Sequence, residues 1–329
     1  MIITQVFRKK DPAFFSIERV FSGLDEELEK RTQIRRVSVP RFGISFHNLL
    51  AIAPFFHKAL RADGYHVTGH IHYAVLGFPS RRVLLTIHDC VFLYQVKGWR
   101  RWILKKLLLD WPVRHAALIT TISEASRQDI LRHTGCRPDK VVVIPNPVNE
   151  AISFTPLTFH TDRPVILFVG ATPNKNLLRV IPALEGIPAE LHIVGEIPAA
   201  AMQLLEQHHV SYRQSTRLDD KQLAACYRDA DLVLFPSTFE GFGLPILEAQ
   251  QAGRPVVTSD LEPMKGVAGS GACLVDPLSV GSIRAGILKV IREPAYRATL
   301  IENGRGNVRR FDKAVIAEQY FTCYKKLTQ

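Results

Sequence analysis

Glu240 and Glu248 stand eight positions apart in FEGFGLPILEAQQAGRPVV (239–257), on either side of the turn Gly241-Phe242-Gly243-Leu244-Pro245. The turn follows the apolar run LVLF (232–235) and the cap-like pair Pro236-Ser237. Carboxylates accept hydrogen bonds from paired hydroxyls. Glycines let backbone N–H groups approach a ligand, and proline suits the first turn of a helix. A sugar nucleotide carries hydroxyls at both ends, on the sugar and on the ribose, with phosphate between. Two glutamates flanking a phosphate-binding turn are suited to holding both ends of it. An arbitrary pair of this kind is more often one loop glutamate and one helix-face glutamate, so the spacing alone does not decide.

A second segment, FVGATPNKNLL (168–178), runs strand, Gly170, polar turn, helix. A helix N-terminus offers free N–H groups and about half a positive charge, and Lys175 adds a full one, which makes a phosphate site. An ordinary strand–helix turn with a solvated lysine fits the same spacing equally well. No GxxxxGK[ST] loop, GxGxxG or GxSxG occurs, which argues against P-loop, dehydrogenase and hydrolase chemistry. A third segment, TIHDCVFLY (86–94), ends a strand with His88-Asp89 in the first half of the chain, where a ligand-lining histidine and a structural one are equally compatible with the pattern. Asp229-Ala230-Asp231 spells a metal–nucleotide motif, but its place between a helix and a strand reads as a helix-end turn. His70 and His72 lack further metal ligands nearby.

The elements that must position these residues alternate. Strand candidates are 35–39, 83–87, 118–122 and 141–145, then 165–169, 190–194, 232–235 and 255–258. They are apolar and non-alternating, with helical patterns between, so they predict α/β structure with parallel, doubly wound sheets covered on both faces. Ligands of such sheets sit at the carboxyl ends of strands. The Pro- and Asn-marked stretch 144–164 reads as a linker, and the amphipathic pattern 311–327 closes the chain. The expected division is 1–152, 153–310 and a final helix, 311–329.

Of the 329 residues, 47% are hydrophobic and 22% charged, as in a soluble globular protein. No signal peptide or membrane-spanning stretch is read, and five scattered cysteines suit reduced cytosolic thiols. Charge is uneven. Residues 1–150 carry 23 Lys and Arg against 13 Asp and Glu, an excess of ten; residues 151–329 carry 19 against 18, an excess of one. The positive field of the first half points to an anionic partner. Within it, QVKGWRRWILKKLLLDWPVRHAAL (95–118) holds all three tryptophans of the chain, Trp99, Trp102 and Trp111, beside Arg100, Arg101, Lys105 and Lys106. Such a helix either lies in an anionic membrane interface or packs its apolar side into the first domain.

Together, FPSTFEGFGLPILEAQQAGRPVVTSD (235–260), FVGATPNKNL, ADLVLFPS, ISEASRQDI with KVVVIPNPV, TIHD and GACLVDP resemble glycosyltransferase family 4, with its Glu-x7-Glu signature, over roughly residues 83–290. The resemblance implies a GT-B fold: two Rossmann-like domains with a cleft between them and a last helix crossing back. It implies a retaining, metal-independent transferase with no cofactor besides its donor, a UDP- or GDP-linked sugar. Glu240 would hold the donor sugar, and the N–H groups of Phe242, Gly243 and Leu244 sugar and phosphate. Glu248 would hold the ribose, and Lys175, near Gly170 and Asn174, the leaving diphosphate. Arg217 and Leu218 would lie near the base, and His88 would line the sugar pocket. Many members carry an arginine where this chain has Ala171 or Asn174. Many also carry glycines in the region that here reads VFRKKDPAFFSIERVF (6–21). Arg8, Lys9 and Lys10 stand there instead, and with Asp89 they are the acceptor-side candidates.

The expected function is hexosyl transfer to a glycan or lipid-linked acceptor in surface polysaccharide or lipopolysaccharide assembly. The expected place is the cytoplasm, at the inner face of the cytoplasmic membrane. A GT-B sugar-nucleotide epimerase, or a non-catalytic nucleotide-sugar or nucleic-acid-binding protein, are the rivals; nucleic acid is not the expected partner.

Overall fold

The computed structural model describes residues 1–9, 16–39 and 61–328. The chain forms two compact units, Met1–Pro147 with Asp312–Gln329, and Val148–Phe311. Each is built on a six-stranded parallel sheet.

The first sheet has the order β2-β1-β3-β4-β5-β6, with β1 Ile2–Phe7, β2 Gln33–Ser38, β3 Gly64–Val67, β4 Val83–Ile87, β5 Leu118–Thr121 and β6 Val141–Val143. Strands β3, β4 and β5 are buried at every position, which explains why they lack polar alternation. One face of this sheet is closed by the helices Ser16–Glu29 and Lys313–Thr328. Phe21, Leu24 and Leu28 meet Ile316, Tyr320, Cys323, Tyr324 and Leu327 there, over Ile3 and Leu84.

His66 of β3 lies at the centre of that layer, fully buried. Its Nδ1 is 2.8 Å from the Tyr324 hydroxyl and its Nε2 2.7 Å from the Thr86 hydroxyl. Burial lowers its pKa to about 3, with His88 adding to the effect. His72 is also lowered to about 3 by burial, although its Nδ1–H bond to the Leu108 carbonyl at 2.6 Å works the other way. Both rings are neutral when folded and take up a proton near pH 6.5 when unfolded. Stability from these rings is therefore complete above pH 6.5 and falls as pH drops towards 3. Between pH 6 and 4 the pair should cost about 5 kcal/mol, at about 1.4 kcal/mol per unit and ring. Denaturant unfolding across this range checks it, and His66→Gln should flatten the slope. A pH-independent midpoint would rule the linkage out.

The second sheet has the order β12-β11-β10-β7-β8-β9, with β7 Val165–Val169, β8 Glu190–Val194, β9 Tyr212–Ser215, β10 Leu232–Phe235, β11 Val256–Ser259 and β12 Cys273–Val275. Strand order reverses between the neighbours β7 and β10. A doubly wound sheet opens a ligand crevice at the carboxyl ends of such a pair.

Four strands were absent from the sequence expectation: β1, β3, β9 and β12. Strand β9, YRQS, is a polar edge strand exposed at three of its four positions. β3 and β12 have four and three residues, too few for a periodicity. Residues 144–164 contain no helix or strand, as the linker reading expected.

Candidate functional site

The loops after β7 and β10 are stitched to each other at the strand reversal. Gly170 follows β7 with φ +86°, a conformation that favours glycine. A Cβ there would meet the Lys175 chain at 3.0 Å, so the glycine also lets that side chain lie across the loop. Residues Pro173–Lys175 form a single tight turn, and Asn176, also left-handed at φ 73°, opens the helix Leu177–Leu184. The Asn174 carbonyl accepts the Thr238 N–H at 2.8 Å, and the Asn174 amide donates to the Phe239 carbonyl at 3.0 Å.

This stitching places Lys175 Nζ 2.7 Å from Glu240 Oε1, which Asn174 Nδ2 also reaches at 3.2 Å. The lysine lies 4.4 Å from the centroid of the Phe235 ring. Both side chains are mostly covered, at 17% and 14% exposure, so each charge has a partner but little water. The cation expected to face phosphate and the carboxylate expected to face sugar are thus one ion pair.

Beyond Glu240, Gly243 takes φ +114° and begins the helix Leu244–Ala252, with Pro245 in its first turn. Pro236 and Ser237 do not cap it, contrary to the sequence reading. They are buried at the end of β10, with the Ser237 carbonyl held by the Ser259 hydroxyl. The N–H groups of Phe242, Gly243 and Leu244 donate to no other described residue. Gly243 caps the helix and Leu244 is its first residue, so their amides have no partner inside it, and Phe242 stands just before the cap; all three can donate to an anion or a hydroxyl. Phe242 itself is buried, edge-on to Phe311 at 5.9 Å.

Glu248 lies one turn further along, only 8% exposed, and accepts the Tyr227 hydroxyl at 2.6 Å. Burial, with that anion beside it, pushes the Tyr227 pKa well up, so the phenol keeps its proton and stays a donor. Arg217, left-handed at φ 55°, and Leu218 lie in the loop between β9 and the helix Asp220–Arg228. Arg217 is exposed, and no bond ties it to the Lys175–Glu240 pair.

In the first unit, His88 follows β4 and gives its Nε2–H to the Thr68 carbonyl at 3.0 Å, which leaves Nδ1 as an acceptor. Burial lowers its pKa to about 4, so the ring is neutral near pH 7. One Asp89 oxygen is occupied by the Val91 N–H at 3.0 Å. Arg8 and Lys9 follow β1; Lys10 lies outside the described residues. The three tryptophans are exposed by 69% (Trp99), 63% (Trp102) and 47% (Trp111), which overturns the alternative of a helix packing them inward. The helix carrying them, Gly98–Lys105, widens by one residue per turn over Lys106–Asp110 and resumes at Trp111–His115.

Asp231 is a structural residue, as its helix-end position suggested. It is buried, and its carboxylate accepts the His160 and Val165 N–H groups. Two residues went unnoticed in the sequence. Asn176 donates to the carbonyls of Pro236 at 3.0 Å and Pro277 at 2.6 Å, joining three strand-end loops. Tyr227 orients Glu248. The Asn176 signal was its adjacency to Lys175; Tyr227 gave none, since its partner lies 21 residues away.

Comparison with known proteins adds three observations. The family model described as "Glycosyltransferase Family 4" matches residues 16–151, and "Glycosyl transferases group 1" matches 150–307. The O-antigen chain mannosyltransferase B of Escherichia coli is 27% identical over 271 residues, 75% of this chain and 71% of that protein. The MMP alpha-(1->4)-mannosyltransferase of Mycolicibacterium hassiacum is 28% identical over 284 residues, 79% and 68%. Among solved structures, Anabaena Alr3699/HepE in complex with UDP and glucose superposes with a TM-score of 0.78 at 18% identity, covering 99% of both chains.

Proposed function

Because the chain belongs to glycosyltransferase family 4 and has the GT-B fold, we propose that it transfers a hexose, with retention, from a nucleoside-diphosphate sugar to a glycan or lipid-linked acceptor. The observation that carries this reading is the Lys175–Glu240 pair at the strand reversal, beside the N–H groups of Phe242, Gly243 and Leu244 at the helix entry, which have no described partner. Lys175 and those amides stabilise the negative charge that gathers on the departing diphosphate. Glu240 holds hydroxyls of the sugar as positive charge develops on its ring, and Glu248 holds the ribose. An acceptor hydroxyl attacks from the face the diphosphate leaves. Neutral His88 offers an acceptor nitrogen to a sugar hydroxyl.

Assembly of a surface polysaccharide or lipopolysaccharide is the setting suggested by the relative named for O-antigen chain mannosyl transfer, beside a second relative named as an alpha-(1->4)-mannosyltransferase. Their names make a mannosyl donor the first to test, and the UDP complex of the structural neighbour adds UDP-sugars. The test is product analysis with UDP-, GDP- and ADP-sugars, with and without acceptor glycolipids, in the presence of EDTA. Transfer with retained anomeric configuration and without added metal is expected. An epimerised donor formed without acceptor would favour the epimerase, and activity lost in EDTA and restored by magnesium would overturn metal independence.

The exposed tryptophans among Arg100, Arg101, Lys105 and Lys106 support a further element, a peripheral seat on anionic membrane where a lipid-linked acceptor resides. No helix among the described residues is long and apolar enough to cross a membrane. Binding to anionic but not neutral vesicles is expected, lost at high salt and weakened by Arg100→Glu/Arg101→Glu. Equal recovery in the supernatant with and without anionic vesicles would leave the basic face to the acceptor glycan instead.

A further inference from the structure

Behind the tryptophan-bearing segment lies a cavity of about 620 Å³, the size of a small-ligand site, and its wall is basic. Lys105, Lys106, Arg114, Arg137 and Lys140 line it, with Asp110 as the acid among its lining residues. Lys105 and Lys106 both hold Asp110, at 2.6 and 2.9 Å, so that one buried carboxylate is shared by two ammonium groups. Arg137 pairs with Asp139 on the open side. Among the described residues, Arg114 and Lys140 have no carboxylate partner. Lys140 gives its Nζ to the Arg114 carbonyl at 3.2 Å, and partial burial lowers its pKa. Two cations held at a cavity without counter-charge are a site that an anion would complete.

The exposed aromatic surface is continuous with that cavity. Lys106 lines the cavity and also lies 6.0 Å from the centroid of the Trp102 ring. Trp99, on the same helix, packs against Arg100 and is the most exposed of the three tryptophans. A soluble anion would have no use for bare indole rings on the segment that walls its site. A ligand whose anionic group continues into hydrocarbon would engage both features. Indole rings settle at headgroup depth, where a phosphodiester also lies.

We propose that this cavity is a phospholipid headgroup site, which takes the phosphodiester of an anionic lipid between Arg114, Arg137 and Lys140 while the neighbouring tryptophans lie in the surface of the same membrane. It rests on the peripheral-membrane reading above and specifies it: charge on the helix face brings the protein to the surface, and the cavity then selects a lipid. The segment is thereby held at one depth and orientation rather than loosely adsorbed.

The test measures binding of short-chain phosphatidylglycerol kept monomeric, and of inorganic phosphate, by phosphorus NMR, with vesicle sedimentation in parallel. The intact chain should bind the monomeric lipid at least tenfold more tightly than phosphate. Arg137→Glu/Lys140→Glu should weaken lipid binding at least tenfold, and Arg137→Gln/Lys140→Gln by an intermediate amount; unchanged thermal unfolding of the neutral pair shows that the fold is intact. Trp99→Ser should lower vesicle binding and leave the monomeric lipid affinity within twofold. Equal affinity in wild type and the charge-reversed variant overturns the site, and so does no measurable lipid binding. Phosphate binding as tight as lipid binding would make it a free-phosphate site and overturn the lipid assignment. No sugar donor is present, so failure here leaves the transferase reading standing. Vesicle binding without monomer binding would remove the cavity and keep the membrane seat.

Discussion

Lys175→Ala should lower turnover at saturating donor by about 100-fold or more, the scale of removing one charge-stabilising donor from a leaving group or oxyanion. The lysine comes from the loop after β7, where Gly170 makes room for its chain, and it is already mostly covered against Phe235 and Glu240. A cation in so little water acts on a departing diphosphate with little screening. Arg179, the nearby cation of the following helix, is engaged with Asn176 at 3.0 Å. The loss should appear in the transfer step and not only in the Michaelis constant. Single-turnover kinetics with the best donor of the panel is the measurement, and unchanged turnover would remove Lys175 from the leaving-group role.

Glu240→Gln should cut turnover more than tenfold with modest change in donor affinity, because on the proposed reading its carboxylate holds the reacting sugar. It should also free Lys175 from its ion partner, so the variant's affinity for free nucleoside diphosphate should rise or hold while catalysis falls. Glu248→Ala should show the reverse division. Its loss removes a buried charged acceptor and leaves the Tyr227 hydroxyl without that partner. Donor affinity should weaken by roughly 1–3 kcal/mol, about 5- to 150-fold, with turnover of bound donor largely kept. Calorimetric titration of donor together with kinetics separates the two variants. Identical profiles for both would end the division of labour between the glutamates.

The reach of sequence reasoning differed by layer. Buried parallel strands such as VLLTI and VILFV announce themselves, because both faces must be apolar. The edge strand YRQS does not, since its pairing with β8 is held by backbone and not by side-chain pattern. At the site, residue types and their loops were legible: Glu240, Lys175 and Glu248 stand on the elements that the strand–turn–helix patterns predicted. Their pairing was not. The Lys175–Glu240 contact spans 65 residues and exists because β7 and β10, far apart in the chain, are neighbours in the sheet. The tryptophans were equally undecidable beforehand, since an amphipathic helix pattern does not say whether its rings face core or water. Only the packing of Leu109 and Val113 inward, with Trp99 and Trp102 left outside, settles that.

The unit that opens the chain is also the one that ends it. Val148–Phe311 is continuous and can fold as soon as it leaves the ribosome. The β1–β6 sheet has to wait for residues 313–328, which cover Phe21 and His66 with Tyr320 and Tyr324. At ordinary rates of translation that wait is roughly 10–30 s. For that time, while the later half is still being made, the earliest-made half presents an apolar sheet face to the cell. Nascent-chain proteolysis should therefore find the first unit open to cleavage until residues 313–328 have been made. A stop codon placed just before residue 313 should send the first unit to chaperones and proteases while leaving Val148–Phe311 intact.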